Sequence, residues 1–304
     1  MGSGCWTSNS FSDYVSTSRG VSLDEFTTKS YSNQEVFKST RIHEDLVPYK
    51  VMRECCDSEE HPNTIPIILA LDVTGSMGTA AVKVAQKLND IMTKLYSNNS
   101  VKDIEFCIMG IGDLEYDRTP IQISQFESDT RIASHLDKVY FEFGGGGNAY
   151  ESYTVAWYMG ARHCNLDCWK RNKKGIIITI GDEQLNPILP KRQLSNLTGD
   201  NLQDDVLTKA LYKEVTDKFK VYHISVDDYY SSYGGNNYND HVDSSWNELL
   251  GDNYTVATLN NLDNTITDII IRATKEDETG FINFETDNNN SIFGDVPDDS
   301  KISW

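Results

Sequence analysis

The chain has 304 residues, enough for one sizeable α/β domain with appendages or for two small domains. With 38% hydrophobic and 24% charged residues it reads as a globular protein, and no apolar run approaches the roughly 18 residues needed to span a bilayer. A formal net charge of −19, from 46 acidic against 27 basic residues, argues against nucleic acid and anionic lipid as partners and points to cations and basic protein surfaces.

Residues 1–63 are rich in Ser, Thr and Gly with weak periodicity, which predicts an irregular, extended arm wrapping the domain, with a short strand near 49–52. The first six residues carry neither the basic nor the apolar region of a secretory signal, so a cytoplasmic protein is expected. The domain itself is expected over 64–274. It opens with a continuous apolar run at 65–71 that ends in Asp72, the pattern of a strand buried on both faces of a parallel sheet. After Gly75 and Gly78, the spacing of Ala81, Val84, Ala85, Leu88, Ile91, Met92 and Leu95 predicts an amphipathic helix.

Further apolar runs at 104–111, 175–180 and 221–226, and a weaker one at 254–259, predict the remaining core strands. An edge or antiparallel strand is expected at 121–126 or 139–143. Helices are expected near 130–138, 150–164, 203–219, 243–250 and 262–274. Strands alternating with helices predict an α/β fold: a doubly wound, mostly parallel sheet flanked by helices. Residues 275–304 turn acidic and Asn-rich, and read as a solvated tail or, alternatively, as a docking segment for a basic partner surface.

The six cysteines, with Cys55 and Cys56 adjacent, suit free thiols better than a disulfide framework. His163, Cys164 and Cys168 lack a fourth ligand at zinc spacing and read as packed side chains.

In open parallel sheets, ligands gather at the carboxyl ends of the strands. Three segments fall there. Asp72, Thr74 and Ser76 alternate along the chain as it leaves its strand, so a carboxylate and two hydroxyls can face one point. Oxygen ligands without nitrogen or sulfur select a hard cation, with Mg²⁺ first and Mn²⁺ or Ca²⁺ as alternatives. The second segment is the turn Gly144 to Gly147 followed by Asn148, Glu151 and Ser152; Asn148 is the nearest oxygen donor, with Glu151 and Ser152 as alternatives. A Gly-rich turn before a helix also suits a phosphate, but this one lacks a Lys. The third is Gly181, Asp182 and Glu183, with Asp182 as the candidate ligand and Glu183 as an alternative. A further acidic loop, Asp113, Glu115 and Asp117, stands at the same edge and reads as a solvated loop or, alternatively, as one that shapes the rim or contacts the metal through water.

The Asp72, Thr74, Ser76 loop resembles the metal-ion-dependent adhesion site of von Willebrand factor A domains, whose first loop reads Asp-x-Ser-x-Ser after a buried strand. The resemblance covers about residues 64–274. Thr74 stands for the first Ser as a conservative hydroxyl exchange, and the chain departs from the pattern in two further places: no Thr stands in the Gly-rich turn, and Gly precedes Asp at 181–182. The resemblance implies a metal-dependent protein-binding module without catalytic residues, in which the ion keeps one position open for an acidic residue of a partner protein. More narrowly, the three segments resemble intracellular bacterial and phage A-domain proteins that act as adaptors beside MoxR-type AAA+ ATPases.

A haloacid dehalogenase-like Mg²⁺ phosphohydrolase shares the strand-end Asp, but it needs an acid where Thr74 stands and another where Asn186 stands. A serine hydrolase lacks its elbow around Ser76, and His43, His61, His135, His163, His223 and His241 offer no evident base. A metal-free structural or virion-assembly component keeps the fold and discards the ion; the oxygen-rich loops argue against it.

Overall fold

The computed structural model describes residues 4–98, 101–142, 150–227 and 236–279. Six strands form the central sheet: β2 (Ile65–Asp72), β3 (Ile104–Ile111), β4 (Ile121–Ile123), β7 (Gly175–Gly181), β11 (Phe219–Val226) and β12 (Tyr254–Ala257). Their order is β12-β11-β7-β2-β3-β4, and every pairing is parallel except β3 with β4. This is the α/β architecture expected from the alternating apolar runs. The antiparallel edge strand falls at 121–123, while Val139 and Phe141 are buried and belong to no strand.

The central strands are apolar throughout because both faces are covered, and successive residues feed two different cores. Ile67, Leu69 and Leu71 join the core beneath α4 (Gly78–Ser97) and the helix Leu262–Thr279. Ile68 and Ala70 join the opposite core, beneath α6 (Val155–His163), α8 (Thr208–Thr216) and the helix Asn236–Leu250.

The N-terminal segment differs from the expected extended arm. It folds as α1 (Ser8–Arg19), α2 (Leu23–Thr28), α3 (Asn33–Val36) and a 3₁₀ turn (Glu44–Leu46). Local capping drives this. The Thr7 hydroxyl accepts from Ser10 N–H, Gly20 closes α1 in the left-handed region, Ser22 caps α2, and the Glu35 carboxylate bonds back to Ser32. Trp6, Phe11, Val15, Phe26, Val36, Phe37 and Leu46 are buried in the same core as α4, so the segment is part of the domain's packing. The short strand lies at β1 (Arg53–Cys55), a few residues beyond 49–52, and pairs in parallel with β6 (Cys164–Leu166).

Other boundaries shift by a turn or two. The helix expected from 150 begins at Val155, and Tyr150–Glu151 form β5 instead. An additional helix, α7 (Lys191–Thr198), and a small antiparallel pair, β9 (Ile188–Leu189) with β10 (Val206–Leu207), precede α8. The last helix runs to Thr279, so the described part of the acidic tail is helical; the docking-segment reading of 280–304 lies outside the described residues. Among the described residues, no helix is long and apolar enough to cross a membrane.

Candidate metal centre

β2 and β7 are neighbours in the sheet, with Leu71 opposite Ile180, so Asp72 and Asp182 leave adjacent strands at the same edge. Asp72 is 1% exposed. Its Oδ1 accepts the Thr74 N–H at 2.8 Å and the Thr74 hydroxyl at 2.5 Å, which fixes the loop as it turns toward α4. Ser76 is exposed, and its hydroxyl stands near enough to the carboxylate of the buried Asp182 to favour the charged form. The first and third loops therefore meet.

A residue that the sequence reading passed over, Tyr153, ties them together. Its side chain is fully buried, and its hydroxyl donates to Asp72 Oδ2 at 2.8 Å while accepting the N–H groups of Asp182 and Glu183, each at 3.2 Å. A Cβ at position 181 would collide with the Tyr153 hydroxyl and ring. Gly181 thus stands before Asp182 because the phenol occupies the space a side chain would need. That order was the one available signal for Tyr153.

The second loop is pinned to the third by β5, which pairs with β8 (Gln184–Leu185) and sets Glu151 opposite Leu185. Asn148, with the four glycines before it, lies outside the described residues. Of the two alternatives, Ser152 accepts the Leu114 N–H at 3.0 Å. Glu151 is 6% exposed and its Oε2 has no hydrogen-bond partner. The acidic rim loop closes on itself: Asp113 accepts the Glu115 N–H, and Asp117 accepts the Asp113 N–H.

Three buried carboxylates facing one region without a cation are poorly placed to ionise together. Burial, and then the Asp182 charge, push Asp72 up to about 7, against the bonds from Thr74 and Tyr153 that favour its charged form. Burial raises Asp182, against the nearby Ser76 hydroxyl. Burial raises Glu151 furthest, followed by the charges of Asp72, Asp117, Asp113 and Glu183. Asp182 Oδ1, like Glu151 Oε2, is buried without a partner. Polar atoms in that condition normally find a bond, a water or an ion.

The donor set fits a hard divalent cation. Asp72, Thr74, Ser76, Asp182 and Glu151 offer only oxygen. Among the described residues, no three His, Cys, Asp or Glu side chains stand close enough to hold an ion by themselves, so hydroxyls and water would have to share the coordination. The zinc candidates stand elsewhere. Cys164 and Cys168 are buried, and the His163 ring is held between Val51 O at 2.9 Å and Asp200 at 2.7 Å.

Behind the third loop, His223 stacks on Trp246 at 3.6 Å, and Trp246 Nε1 donates to Glu183 O at 3.1 Å. Burial drives His223 far below the usual imidazole range, so it packs as a neutral ring. Asn186 accepts the Thr154 N–H and donates to Thr154 Oγ1 and Ile188 O, which commits its amide to holding the loop.

No protein-family model matches the chain, and no curated protein matches it in sequence. Among solved structures, the open conformation of the pilus adhesin SpaC from Lactobacillus rhamnosus GG aligns with 75% of this chain at 12% identity and a TM-score of 0.47. Proximal thread matrix protein 1 from the mussel byssus aligns with 74% at 12% identity and a TM-score of 0.41. The chain spans 31% of the adhesin's length and 49% of the byssus protein's. Likeness at this level supports no transfer of function.

Proposed function

We propose that the protein is a divalent-cation-dependent binding module of the von Willebrand factor A type, engaging a partner protein through an ion at the carboxyl edge of its sheet. The observation that carries this reading is the union of the loops: Asp72 and Asp182, bridged by Tyr153, with Ser76 near Asp182 and a carboxylate oxygen of Asp182 left unpaired. An ion there would be held by Ser76, Thr74 and the two aspartates, directly or through water, and would offer an electrophilic coordination position toward the surface. Ser76 is exposed, so the ion would face a partner. A Glu or Asp from the partner is the natural occupant of a vacant coordination position. Mg²⁺ is the first choice, since few carboxylates among neutral oxygens suit an ion that keeps waters. Work as an intracellular adaptor beside an AAA+ ATPase of the MoxR type is the narrower form of the proposal, resting on motif resemblance alone.

The binding reading is favoured over a phosphohydrolase by the nature of two side chains. Thr74 and Asn186 stand where that chemistry requires acids, and neither a hydroxyl nor an amide can serve as one; Asn186 is moreover committed to holding its loop. Calorimetric titration with Mg²⁺ and Mn²⁺ tests the reading. Saturable binding by the wild type, lost in Asp72→Asn, is the expected result; equal heats from both proteins, or phosphatase turnover abolished by Asp72→Asn, would contradict it.

A further inference from the structure

Two oxygens at the candidate centre are buried and unpaired: Asp182 Oδ1 and Glu151 Oε2. Asp182 belongs to the proposed site already. Glu151 is different, because it comes from the second loop and nothing in the fold explains its carboxylate. It is 6% exposed, it makes no ion pair with a Lys or Arg among the described residues, and the charges that act on it most are those of Asp72, Asp117, Asp113 and Glu183, all acidic. A buried acid among acids, with a free oxygen, is costly unless a cation joins it. The backbone is organised to keep it there. Glu151 lies in β5, paired to β8 directly after the Asp182 loop, and the next residue, Ser152, is bonded to Leu114.

We propose that Glu151 is the second-loop acid of the cation centre, facing the ion through a water of its coordination shell. The proposal rests on the metal-centre reading above and deepens it. A water between them accords with the spacing of the acids, since no three carboxylates close on one point among the described residues. With Asp72 and Asp182 it brings three negative charges to a divalent ion, so the loaded centre retains no surplus positive charge. A partner carboxylate then reaches the ion in competition with Glu151, which makes Glu151 a guard on the open position.

The test uses Mn²⁺ as the ion and acetate as the carboxylate, on the full chain, with Glu151→Gln as an isosteric variant and Asp72→Asn as the reference for the site. Free Mn²⁺ is read by electron paramagnetic resonance and ion-bound water by proton relaxation. Glu151→Gln is expected to bind Mn²⁺ on the order of tenfold more weakly, because one charge leaves the shell. Acetate should then displace ion-bound water at lower concentration in the variant than in the wild type. In EDTA the variant should melt at higher temperature than the wild type, since an unpaired buried acid has become a neutral amide. A packing role alone would not produce this reversal between ion-free and ion-loaded protein. Wild-type Mn²⁺ affinity in Glu151→Gln, or an unchanged acetate response, overturns the proposal; if Asp72→Asn still loses the ion, only the role of Glu151 falls. If Asp72→Asn also binds Mn²⁺ normally, the metal-centre reading falls with it.

Discussion

At the Tyr153 hydroxyl, one donated and two accepted hydrogen bonds join two loops that are 110 residues apart in sequence. Tyr153→Phe removes all three bonds while keeping the ring's packing against His223 and Trp246. Leaving buried partners unpaired should destabilise the protein by about 2–4 kcal/mol, read from urea unfolding. It should also weaken ion binding, since Asp72 would lose the bond that orients Oδ2. Gly181→Ala attacks the same contact from the other side and should cost about 1–3 kcal/mol by overpacking. The placement of Asp72, Thr74, Ser76 and Asp182 at the carboxyl ends of β2 and β7 was legible in the sequence because strand ends announce themselves where apolar runs stop. Tyr153 was not, since an aromatic next to a helix start reads as ordinary core.

Among the elements, the N-terminal helices carry the largest departure from the sequence reading. Their apolar content is aromatic and widely spaced, so no hydrophobic period develops over segments of four to twelve residues. The capping pattern was nonetheless present: Ser22 with Glu25, and Ser32 with Glu35, each place an acid three residues after a cap. These helices also back the loop from Asp72 to Ser76, because α3 lies against the start of α4 and a Cβ at Gly78 would strike Asn33. Phe11→Ala should therefore cost about 3–5 kcal/mol in global unfolding, as a deletion from the main core. A separable arm would instead leave the unfolding midpoint unchanged.

Across the whole molecule, the burden of buried acids makes stability depend on pH in a direction opposite to the common one for carboxylates. In the unfolded chain Asp72 ionises near 3.8, but in the ion-free fold it does so at about 7, so between those values the folded state holds the extra proton. Ion-free protein should be most stable below about pH 4 with respect to this group, lose on the order of a few kcal/mol as pH rises to 7, and change little beyond. Asp182, raised in the same direction, adds to the slope. Saturating Mg²⁺ should reverse the trend, since the ion takes the proton's place as pH rises. Thermal melts at pH 5 and pH 8, in EDTA and in Mg²⁺, would show the crossing; parallel curves in the two conditions would refute it. The sheet and its order of layers were readable because both faces of each core strand are covered, whereas the pairing of β5 with β8 and the acid burden it creates arise only from tertiary contact.

The most direct measurement is anomalous diffraction from crystals soaked in Mn²⁺. A single strong peak among Ser76, Thr74, Asp72 and Asp182, removed by Asp72→Asn, is the expected result. No peak at that edge of the sheet, with the ion bound elsewhere or not at all, would contradict the metal centre and the binding function built on it.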